Sequence, residues 1–594
     1  MIAFGIIASI LFLLMLAILE LNKNTLLGFA LLILLGAGFV LLFVKVLHGG
    51  KWYWKALGWL GWIAAFVGIL FLTWPPTRAV PAYEDKAPVY TGVVSLADGD
   101  VRGVKLADGA VELYAGIPYA KPPVGELRWR EPQDAEPWSG VRDCDHFAPM
   151  CMQPTDLPIV SSLKQVIGFH DYRITLRDNY VAPVSEDGLY VNVWKPAGEA
   201  KDLPVLVYIH GGTLQTGQPW YGDYAGTGLA QKGMVVVNLG YRLGVFGYLA
   251  TEDLAAESAN GSTGNYGLLD QIKALEWVRK NIAAFGGDPN NVTIAGESAG
   301  AASVSAICTS PLAKGLFRRA ILESSTVASI EPPHSFRSFS DAIASGKALM
   351  ARYGADTAAD LRKLDAKKLV NEAYTQHFMT VDGYALVETP YESYRKGVHN
   401  EEALLHGYNA EESGPFILFG HANLRNFEEK VRAFFKADAD DVLAIYRPAT
   451  DEEADAAWAR IYGAIFFDYP HFCLSRLAGE NGIPSYEYYF SKQNGRLSAW
   501  HSGELIYLYG NIPAGSKLFT DGDRQLSETM MRYAANFAAS GDPNGEGLPV
   551  WEPTPDGTRL MGFGESTGMQ DEQSLALFQV LDRMQGWAET SGDD

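Results

Sequence analysis

The segment Gly296-Glu297-Ser298-Ala299-Gly300 has the composition of a turn that presents a serine nucleophile. Small residues around the serine avoid clashes at a sharp, strained turn between a strand and a helix. Five residues with three fixed positions also occur by chance, so an ordinary glycine-rich turn is the alternative. The context favours a nucleophile, because an apolar run at 292–295 precedes the motif and a helix-compatible run at 301–307 follows it. We therefore predict that Ser298 forms covalent intermediates with a carbonyl substrate, and that Glu297 is structural.

A serine nucleophile needs a general base, and the base needs an acidic group that orients it. Histidine is the usual base. Seven histidines follow Ser298, and they are His334, His377, His399, His406, His421, His471 and His501. Their types and positions alone leave the choice among them open.

The elements around this motif are predicted to form an α/β fold with a mainly parallel sheet. Short apolar runs at 205–209 and 234–238 have the character of strands buried on both faces. Residues 268–284 have apolar residues at helical spacing, which predicts an amphipathic helix. Strands that alternate with helices favour a parallel sheet with helices on its faces. Residues 336–406 are more helical and polar, and could form a cap over the site, within one catalytic domain.

Three uncharged stretches at the N-terminus are each about long enough to cross a membrane. They cover residues 2–19, 25–44 and 56–74. A cleaved signal peptide is the alternative for the first stretch, but it lacks a basic leading region and two more apolar stretches follow. Two spans with an interfacial segment are the other alternative. We predict a membrane region at 1–75, a proline-containing tether at 76–87 and a catalytic domain at 88–594.

Basic residues in the short loops predict the orientation of these spans. The second connection is flanked by Lys45, Lys51 and Lys55, whereas the first holds only Lys23 beside Glu20. Short loops rich in Lys and Arg stay in the cytoplasm. The second loop is therefore predicted on the cytoplasmic side, and all residues after the third span on the opposite side of the membrane. In a cell with two membranes this side is the periplasm.

Composition excludes several classes of protein. The formal net charge is -21 and no run is rich in Lys or Arg, which argues against nucleic acid as a partner. The four cysteines, Cys144, Cys151, Cys308 and Cys473, have no zinc-ligand spacing, and we predict no metal. Cys144 and Cys151 are close enough to pair in an oxidising compartment, but buried thiols are favoured.

Long strings of the sequence resemble the type B carboxylesterases, a family that includes cholinesterases and bacterial para-nitrobenzyl esterases. The resemblance covers roughly residues 90–587 and rests on several motifs at once. They include GIPYAKPPVGELRWREP at 116–132, SEDGLYVNVWKP at 185–196, YIHGG at 208–212, NLGYRLGVFGYL at 238–249, GYNAEESGPF at 407–416 and AWHSGELIYLYGN at 499–511. The resemblance implies the α/β-hydrolase fold, with a central, mainly parallel twisted sheet flanked by helices, here preceded by the membrane region.

The resemblance also implies the partners of the nucleophile. The family's acid corresponds to the second glutamate of NAEES, Glu412, with Glu411 as the rival one residue away. The family's base corresponds to His501, while His421 and His471 are expected at the surface or in packing. Ser324 matches a family serine behind the acid. No cofactor is implied.

Backbone N–H groups of an HGGG-like loop and of the residue after the serine hold the oxyanion in this family. They correspond here to Gly212, Thr213 and Ala299. Thr213 stands where the family has a third glycine, and Leu214 where it has phenylalanine. We therefore expect an altered acyl pocket. His210 is expected to support this loop.

Two further departures concern cysteine and tryptophan. The family pairs a cysteine in MCMQ with one in EDCL, but Gly188 stands at the second position, so that disulfide is absent. No tryptophan lies between Cys151 and Gly188, which argues against choline esters. The predicted function is hydrolysis of a small carboxylic ester by a membrane-anchored serine carboxylesterase. A lipase or amidase is the alternative, followed by a non-catalytic binding or adhesion relative; the oligomeric state is not predicted.

Overall fold

The computed structural model describes residues 2–83, 87–106, 109–167, 179–370, 378–414, 416, 420–494 and 498–587. The chain forms two compact units. The helical unit comprises Met1–Val80 and Thr155–Pro183, and the sheet unit comprises Pro81–Pro154 and Val184–Asp594. The chain therefore passes from one unit to the other three times. The predicted domain limits stay a prediction.

The described residues of the helical unit form four α-helices. They are α1 (Ile2–Leu21), α2 (Leu26–Leu42), α3 (Trp52–Leu72) and α4 (Pro158–Ile167). A π-helical turn, Phe43–Leu47, extends α2. The first three helices are long and apolar enough to cross a membrane. Their bounds lie within a few residues of the predicted stretches, because uninterrupted apolar sequence without Pro favours one continuous helix.

Only a narrow stripe of each long helix faces its neighbours. Met15, Leu32, Phe39 and Trp62 belong to the buried cluster between them. Large apolar side chains cover the outside of the bundle, among them Ile10, Leu13, Leu34, Leu41 and Leu60. A helix with apolar residues all round and little protein cover is typical of a membrane span.

Hydrogen bonds join the connection between α1 and α2 to the end of α3. The side-chain amide of Asn24 donates to the carbonyl oxygen of Leu70 at 2.8 Å and to the hydroxyl of Thr73 at 2.9 Å. The backbone N–H of Thr25 donates to the carbonyl oxygen of Thr73 at 3.1 Å. This end of the bundle, defined by Asn22, Asn24 and Thr73, is called the exit end below.

The sheet unit is built on a single 13-stranded sheet. In chain order its strands are β1 (Tyr90–Leu96), β2 (Gly99–Leu106), β3 (Val111–Pro118), β4 (Val141–Asp143), β5 (Tyr190–Pro196), β6 (Leu203–Ile209), β7 (Val235–Leu239), β8 (Gly287–Glu297), β9 (Arg319–Glu323), β10 (Ala403–Asn409), β11 (Ser485–Phe490), β12 (Arg559–Phe563) and β13 (Thr567–Asp571). Their spatial order is β13-β12-β11-β10-β9-β8-β6-β7-β5-β3-β2-β1, with β4 beside β2. Two-residue strands lie outside this sheet at Val80–Pro81, His146–Phe147, Met150–Cys151, Val184–Ser185, Phe336–Arg337 and Met379–Thr380.

The centre of the sheet is parallel, as the sequence predicted. In the spatial order from β7 to β12 every neighbouring pair is parallel. Both outer parts are antiparallel apart from the short parallel pair of β2 with β4. In the register of β6, Ile209 lies beside Leu239 of β7 and Gly296 of β8. β6 and β7 are buried along nearly their whole length, which explains their continuous apolar sequences. This register aligns the carboxyl end of β8, and hence the predicted nucleophile, with the carboxyl ends of its neighbours.

The longer helices of the sheet unit are α5 (Tyr266–Asn281), α6 (Ala299–Thr309), α7 (Phe339–Tyr353), α8 (Phe427–Phe435), α9 (Asp451–Gly463), α10 (Tyr469–Glu480), α11 (Asp521–Ser540) and α12 (Leu575–Gln585). Shorter helices are Thr227–Ala230, Gly244–Tyr248, Glu252–Glu257, Ala358–Arg362, Ala366–Leu369, Pro390–Arg395, Ala439–Ile445 and Leu505–Leu508. The helix predicted at 268–284 is α5, which tightens into a 3-10 turn, Ile282–Phe285, and stops at Gly286 with φ 85°. Glycine ends it there because a left-handed conformation costs glycine little.

The region predicted as a cap, 336–406, is helical in its first part. Its described residues include α7 and three shorter helices. Its last residues belong instead to β10, where His406 is buried in the sheet. The predicted cap segment therefore extends too far, into the first residues of β10. The sequence ALLHGYN is a central strand although it contains His406 and Asn409.

All four cysteines are buried free thiols. Cys151 lies against Gly188, and its thiol donates to the carbonyl oxygen of Gly188 at 3.3 Å. A Cβ atom added at Gly188 would lie 2.6 Å from the sulfur of Cys151 and 2.9 Å from its Cα atom. The backbones at this point approach so closely that no side chain fits at position 188. The position at which the family is expected to carry its second cysteine is thus a site of close backbone packing in this chain.

We expect Gly188→Ala to destabilise the sheet unit by about 1–3 kcal/mol, because the new methyl group overlaps the backbone of Cys151. The matched control is Gly92→Ala. Gly92 also lacks a positive φ, but its added Cβ would meet no atom within 4 Å. Thermal unfolding followed by circular dichroism measures the difference. Equal melting temperatures for the two variants would contradict the close packing at Gly188.

Candidate active site

Ser298 lies in the turn between β8 and α6, with φ 56° and ψ −126°. Its backbone N–H donates to the carbonyl oxygen of Glu323 in β9 at 2.9 Å, which holds the turn against the sheet. A Cβ atom added at Gly296 would lie 2.5 Å from the carbonyl carbon of Gly300, and one at Gly300 would overlap the carbonyl oxygen of Ile209. The glycines therefore permit a turn that no larger residue allows, and the predicted strand, turn and helix are all present.

The structure brings the three predicted catalytic side chains into one hydrogen-bonded line. Nε2 of His501 lies 2.9 Å from Oγ of Ser298. On the other side of the ring, Nδ1 of His501 lies 2.6 Å from Oε2 of Glu412. Rings of Phe416 and Phe467 contact the imidazole, with centroids 5.0 Å away in each case. His501 follows a loop, and its position depends on these contacts.

The alternative acid, Glu411, does not contact His501. Glu411 is exposed and accepts hydrogen bonds from the side chains of Gln493, at 2.8 Å, and Ser498. Glu412 is 1% exposed, and its Oε1 accepts from the backbone N–H of Asn409 at 2.8 Å. Adjacent residues in this turn thus point in different directions, and only Glu412 reaches the histidine.

The other histidines occupy the positions expected of them. His421 is exposed and pairs with Asp455 at 2.8 Å. His471 is buried against His406, with Nδ1 atoms 3.0 Å apart, and burial lowers the pKa of both rings. Nδ1 of His210 lies 2.9 Å from the carbonyl oxygen of Gly211 beneath the nucleophile. His377 lies outside the described residues.

The predicted oxyanion donors lie on two segments that meet at Ser298. Gly212 and Thr213 have φ of 102° and 57°, and Ala299 begins α6. A Cβ atom added at the neighbouring Gly211 would lie 3.0 Å from Cβ of Ser298. Among the described residues, none accepts a hydrogen bond from the N–H groups of Gly212, Thr213 or Ala299. Three such donors beside a nucleophile are suited to a developing negative charge.

Thr213 adopts a conformation that favours glycine. Its hydroxyl donates to the carbonyl oxygen of Gly212 at 2.7 Å, and the next residue, Leu214, also has a positive φ of 58°. Leu214 is fully buried, whereas Thr213 is exposed. Strained backbone of this kind persists where the surrounding structure fixes it, commonly at functional sites.

Four buried carboxyl groups surround the site. They belong to Glu297, Glu323, Glu412 and Glu504. Burial raises the pKa of Glu412 to about 8, and hydrogen bonds from the hydroxyl of Ser324 and from the backbone of Asn409 partly offset this rise. Burial likewise raises the pKa of Glu297 and of Glu504 to about 7, and that of Glu323 well above its usual range. A cation formed on His501 would favour the ionised form of these carboxyl groups, and a poorly solvated carboxylate attracts a cation more strongly than a solvated one does.

Sequence reasoning missed the contacts of Glu297 and Glu504. Oε1 of Glu297 lies 3.3 Å from Nε2 of His501 and accepts from the hydroxyl of Ser502 at 2.5 Å. Glu504 accepts from Ser324 at 3.1 Å and from the side chain of Asn409. Ser324, predicted to lie behind the acid, thus lies near both Glu412 and Glu504. A glutamate inside each of the strings GESAG and HSGEL was the available signal.

Within the described ranges, no group of three or more His, Cys, Asp or Glu side chains could hold a metal ion. That the reaction needs no cofactor stays a prediction. The site contains instead a serine, an imidazole, buried carboxyl groups and free N–H donors. This set can transfer an acyl group to serine and then to water.

The fold is that of the α/β hydrolases that act on carboxylic esters. The structure resembles that of a carboxylesterase from Geobacillus stearothermophilus, EST55, with a TM-score of 0.69 and 31% identity over 82% of this chain and 100% of the other. The fumonisin B1 esterase of Sphingopyxis macrogoltabida is 34% identical over 79% of this chain and 86% of its own. Carboxylesterase 1C of Rattus norvegicus is 35% identical over 74% of this chain and 83% of its own.

The model of the carboxylesterase family matches residues 90–577. The chain belongs to the carboxylesterase family, and it is a carboxylic ester hydrolase. The family assignment and the α/β-hydrolase fold predicted from the sequence are confirmed.

Proposed function

We propose that the protein is a membrane-anchored carboxylesterase that works through an acyl-enzyme on Ser298. The observation that carries the proposal is the continuous line from Ser298 through His501 to Glu412, with separations of 2.9 and 2.6 Å. In this proposal Ser298 is the nucleophile, His501 the general base and Glu412 the group that orients the base.

In the acylation step, Oγ of Ser298 attacks the ester carbonyl carbon while Nε2 of His501 takes the hydroxyl proton. The carbonyl oxygen becomes an oxyanion, which the N–H groups of Gly212, Thr213 and Ala299 stabilise. His501 then gives its proton to the alkoxide oxygen as the carbon–oxygen bond breaks. The alcohol leaves, and the acyl group stays on Ser298.

Deacylation repeats these steps with water. His501 takes a proton from the water, whose oxygen attacks the acyl carbon, and returns that proton to Oγ of Ser298. Glu412 holds Nδ1 of His501 throughout, so the imidazole keeps the tautomer that leaves Nε2 free to accept. Glu297 lies beside Nε2, so in its ionised form it would further favour the transient imidazolium.

The substrate class is tested with matched esters and amides. We expect the full chain in detergent to hydrolyse p-nitrophenyl esters much faster than the corresponding p-nitroanilides, because an amide carbonyl is less electrophilic and its amine is a poorer leaving group. A series of increasing acyl length shows the longest acyl group that the site accepts. Preference for long-chain emulsified esters would indicate a lipase, and comparable anilide turnover an amidase. Absence of all turnover would support a non-catalytic relative.

Membrane anchoring is supported by the outer surface of α1, α2 and α3. Large apolar residues such as Ile10, Leu34 and Leu60 are more than half exposed there. Leaving such surface in water costs about 25 cal/mol per Å², whereas hydrocarbon accepts it. The proposed partners are thus a small carboxylic ester and the lipid bilayer.

The orientation is proposed from the lysines at the end opposite the exit end. Lys51 lies between α2 and α3, and Lys45 and Lys55 lie in the flanking helical turns. A cytoplasmic position for these lysines puts the residues after α3 on the far side of the membrane. This side is the periplasm in a cell with two membranes.

We expect protease added to spheroplasts to digest the catalytic residues and to leave a membrane fragment that carries α1, α2 and α3. Immunoblots with tags at the two termini measure this. A cytoplasmic marker protein must stay intact as the control. If the esterase survives until the cells are lysed, the orientation is opposite or the number of spans is even.

A further inference from the structure

Helix α4 is unusual because it belongs to the helical unit although it lies far along the chain from α1, α2 and α3. The chain leaves the sheet unit after Pro154 and returns to it at Val184. Between these points α4 packs against α1. With ten residues, it is about 15 Å long and too short to cross a membrane.

The end of this segment is fixed at the exit end of the bundle. The side-chain amide of Asn179 donates to the carbonyl oxygen of Asn24 at 2.8 Å. The backbone N–H of Val181 donates to Pro76 at 3.0 Å, and the carbonyl oxygen of Val181 accepts from Arg78 at 3.1 Å. Asn24 belongs to the connection between α1 and α2, and Pro76 and Arg78 follow α3. The segment that carries α4 is therefore held where the spans end.

Three different sides of α4 face three different surroundings. At 100° per residue, Pro158 and Ser162 share one side, and both are buried. The next side carries Val160, Leu163 and Val166, which are 36%, 40% and 49% exposed.

The third side of α4 is polar and exposed. Ser161 lies on it, together with Lys164, whose ammonium group pairs with Asp156 at 2.5 Å. The centres of the exposed apolar side and of the exposed polar side are thus about 130° apart around the helix. This arrangement is typical of a helix that lies in the plane of a membrane interface.

We infer that α4 binds the bilayer surface, with Val160, Leu163 and Val166 inserted among the acyl chains near the headgroups. The inference rests on the proposed membrane anchoring. Its occupant is lipid because α4 packs on α1, whose own exposed residues, such as Ile10 and Leu13, form the lipid-facing surface of the unit. Ser161 and Lys164 then face water. The enzyme would thus bind the membrane through its N-terminal spans and also through a segment that lies in sequence between two parts of the sheet unit.

The test places an environment-sensitive fluorophore on single introduced cysteines in the full chain. The four native thiols are buried, so unmodified protein supplies the labelling blank. Leu163→Cys probes the apolar side of α4, Ser161→Cys is the matched control on its polar side, and Leu60→Cys reports the spans. Each labelled protein is reconstituted in phosphatidylcholine vesicles. The quenchers are a spin-labelled phosphatidylcholine and aqueous iodide.

We expect the spin-labelled lipid to quench the probes at positions 163 and 60 several-fold more than the probe at 161, and iodide to show the reverse order. Iodide quenching at 163 equal to that at 161, with position 60 quenched by lipid, overturns this inference alone. Protection of position 163 from both quenchers indicates a protein cover, such as a second copy, and also overturns it. Lack of lipid quenching at position 60 overturns the anchoring proposal as well.

A poorly folded variant could give misleading quenching, so the folding of each labelled protein is checked separately. Hydrolysis of a p-nitrophenyl ester by each labelled protein, within about twofold of the unmodified chain, shows that it is folded. If Leu163→Cys fails this criterion, Val166→Cys reports the same side of α4 and is subject to the same outcomes.

Discussion

Ser298→Ala is expected to lower turnover of a p-nitrophenyl ester by about 10⁴-fold or more. Alanine removes the attacking oxygen and keeps the Cβ atom, so the strained turn between β8 and α6 stays filled. The backbone N–H groups and the substrate pocket remain, and they account for any residual rate. Steady-state kinetics with an active-site titration of the unmodified enzyme measures the loss.

A fluorophosphonate reagent provides the control for this prediction. We expect it to label the unmodified protein at Ser298 alone and to leave Ser298→Ala unlabelled. Ser502 is the informative alternative, because its hydroxyl lies beside Glu297 next to His501. Labelling of Ser502, or full activity of Ser298→Ala with an unchanged circular dichroism spectrum, would reject Ser298 as the nucleophile.

Glu412→Gln is expected to lower turnover by roughly 10⁴-fold, because the group facing Nδ1 of His501 changes from an acceptor to a donor. Oε1 of Glu412 accepts from the backbone of Asn409, and the amide oxygen of glutamine preserves this bond. The amide nitrogen then faces Nδ1 and forces the proton onto Nε2. His501 can no longer accept the proton of Ser298.

Glu411→Gln is the matched control, one residue away in the same turn. Glu411 contacts Gln493 and Ser498 at the surface, so we expect its substitution to change turnover by less than about twofold. Both variants are measured with the same ester and checked by thermal unfolding. A large loss for Glu411→Gln with little for Glu412→Gln would assign the acid to Glu411.

Much of this site could be predicted because its parts are local in sequence. A strand, a glycine-flanked serine and a helix follow one another from β8 to α6, and short-range sterics determine that turn. The apolar stretches that became α1, α2 and α3 are equally local, since a helix satisfies its own backbone. The choice of Glu412 and His501 required the family resemblance, because nothing within either string says which side chains will meet.

Contacts between residues that are far apart in the chain were determined only by the tertiary structure. The contact of Glu297 with His501, and the carboxyl group of Glu504 behind Glu412, arise because parallel strands and the loops after them converge at one edge of the sheet. The raised pKa values follow from burial, which a sequence does not display.

The same reason applies to the close packing at Gly188 and to the placement of α4, neither of which was predicted from the sequence. Gly188 is required because the backbone of Cys151 passes directly against it, a contact between positions 37 residues apart. α4 joins the helical unit because its buried side packs on α1, more than a hundred residues earlier. Periodicity shows which sides of a helix are apolar, but only packing determines what each side contacts.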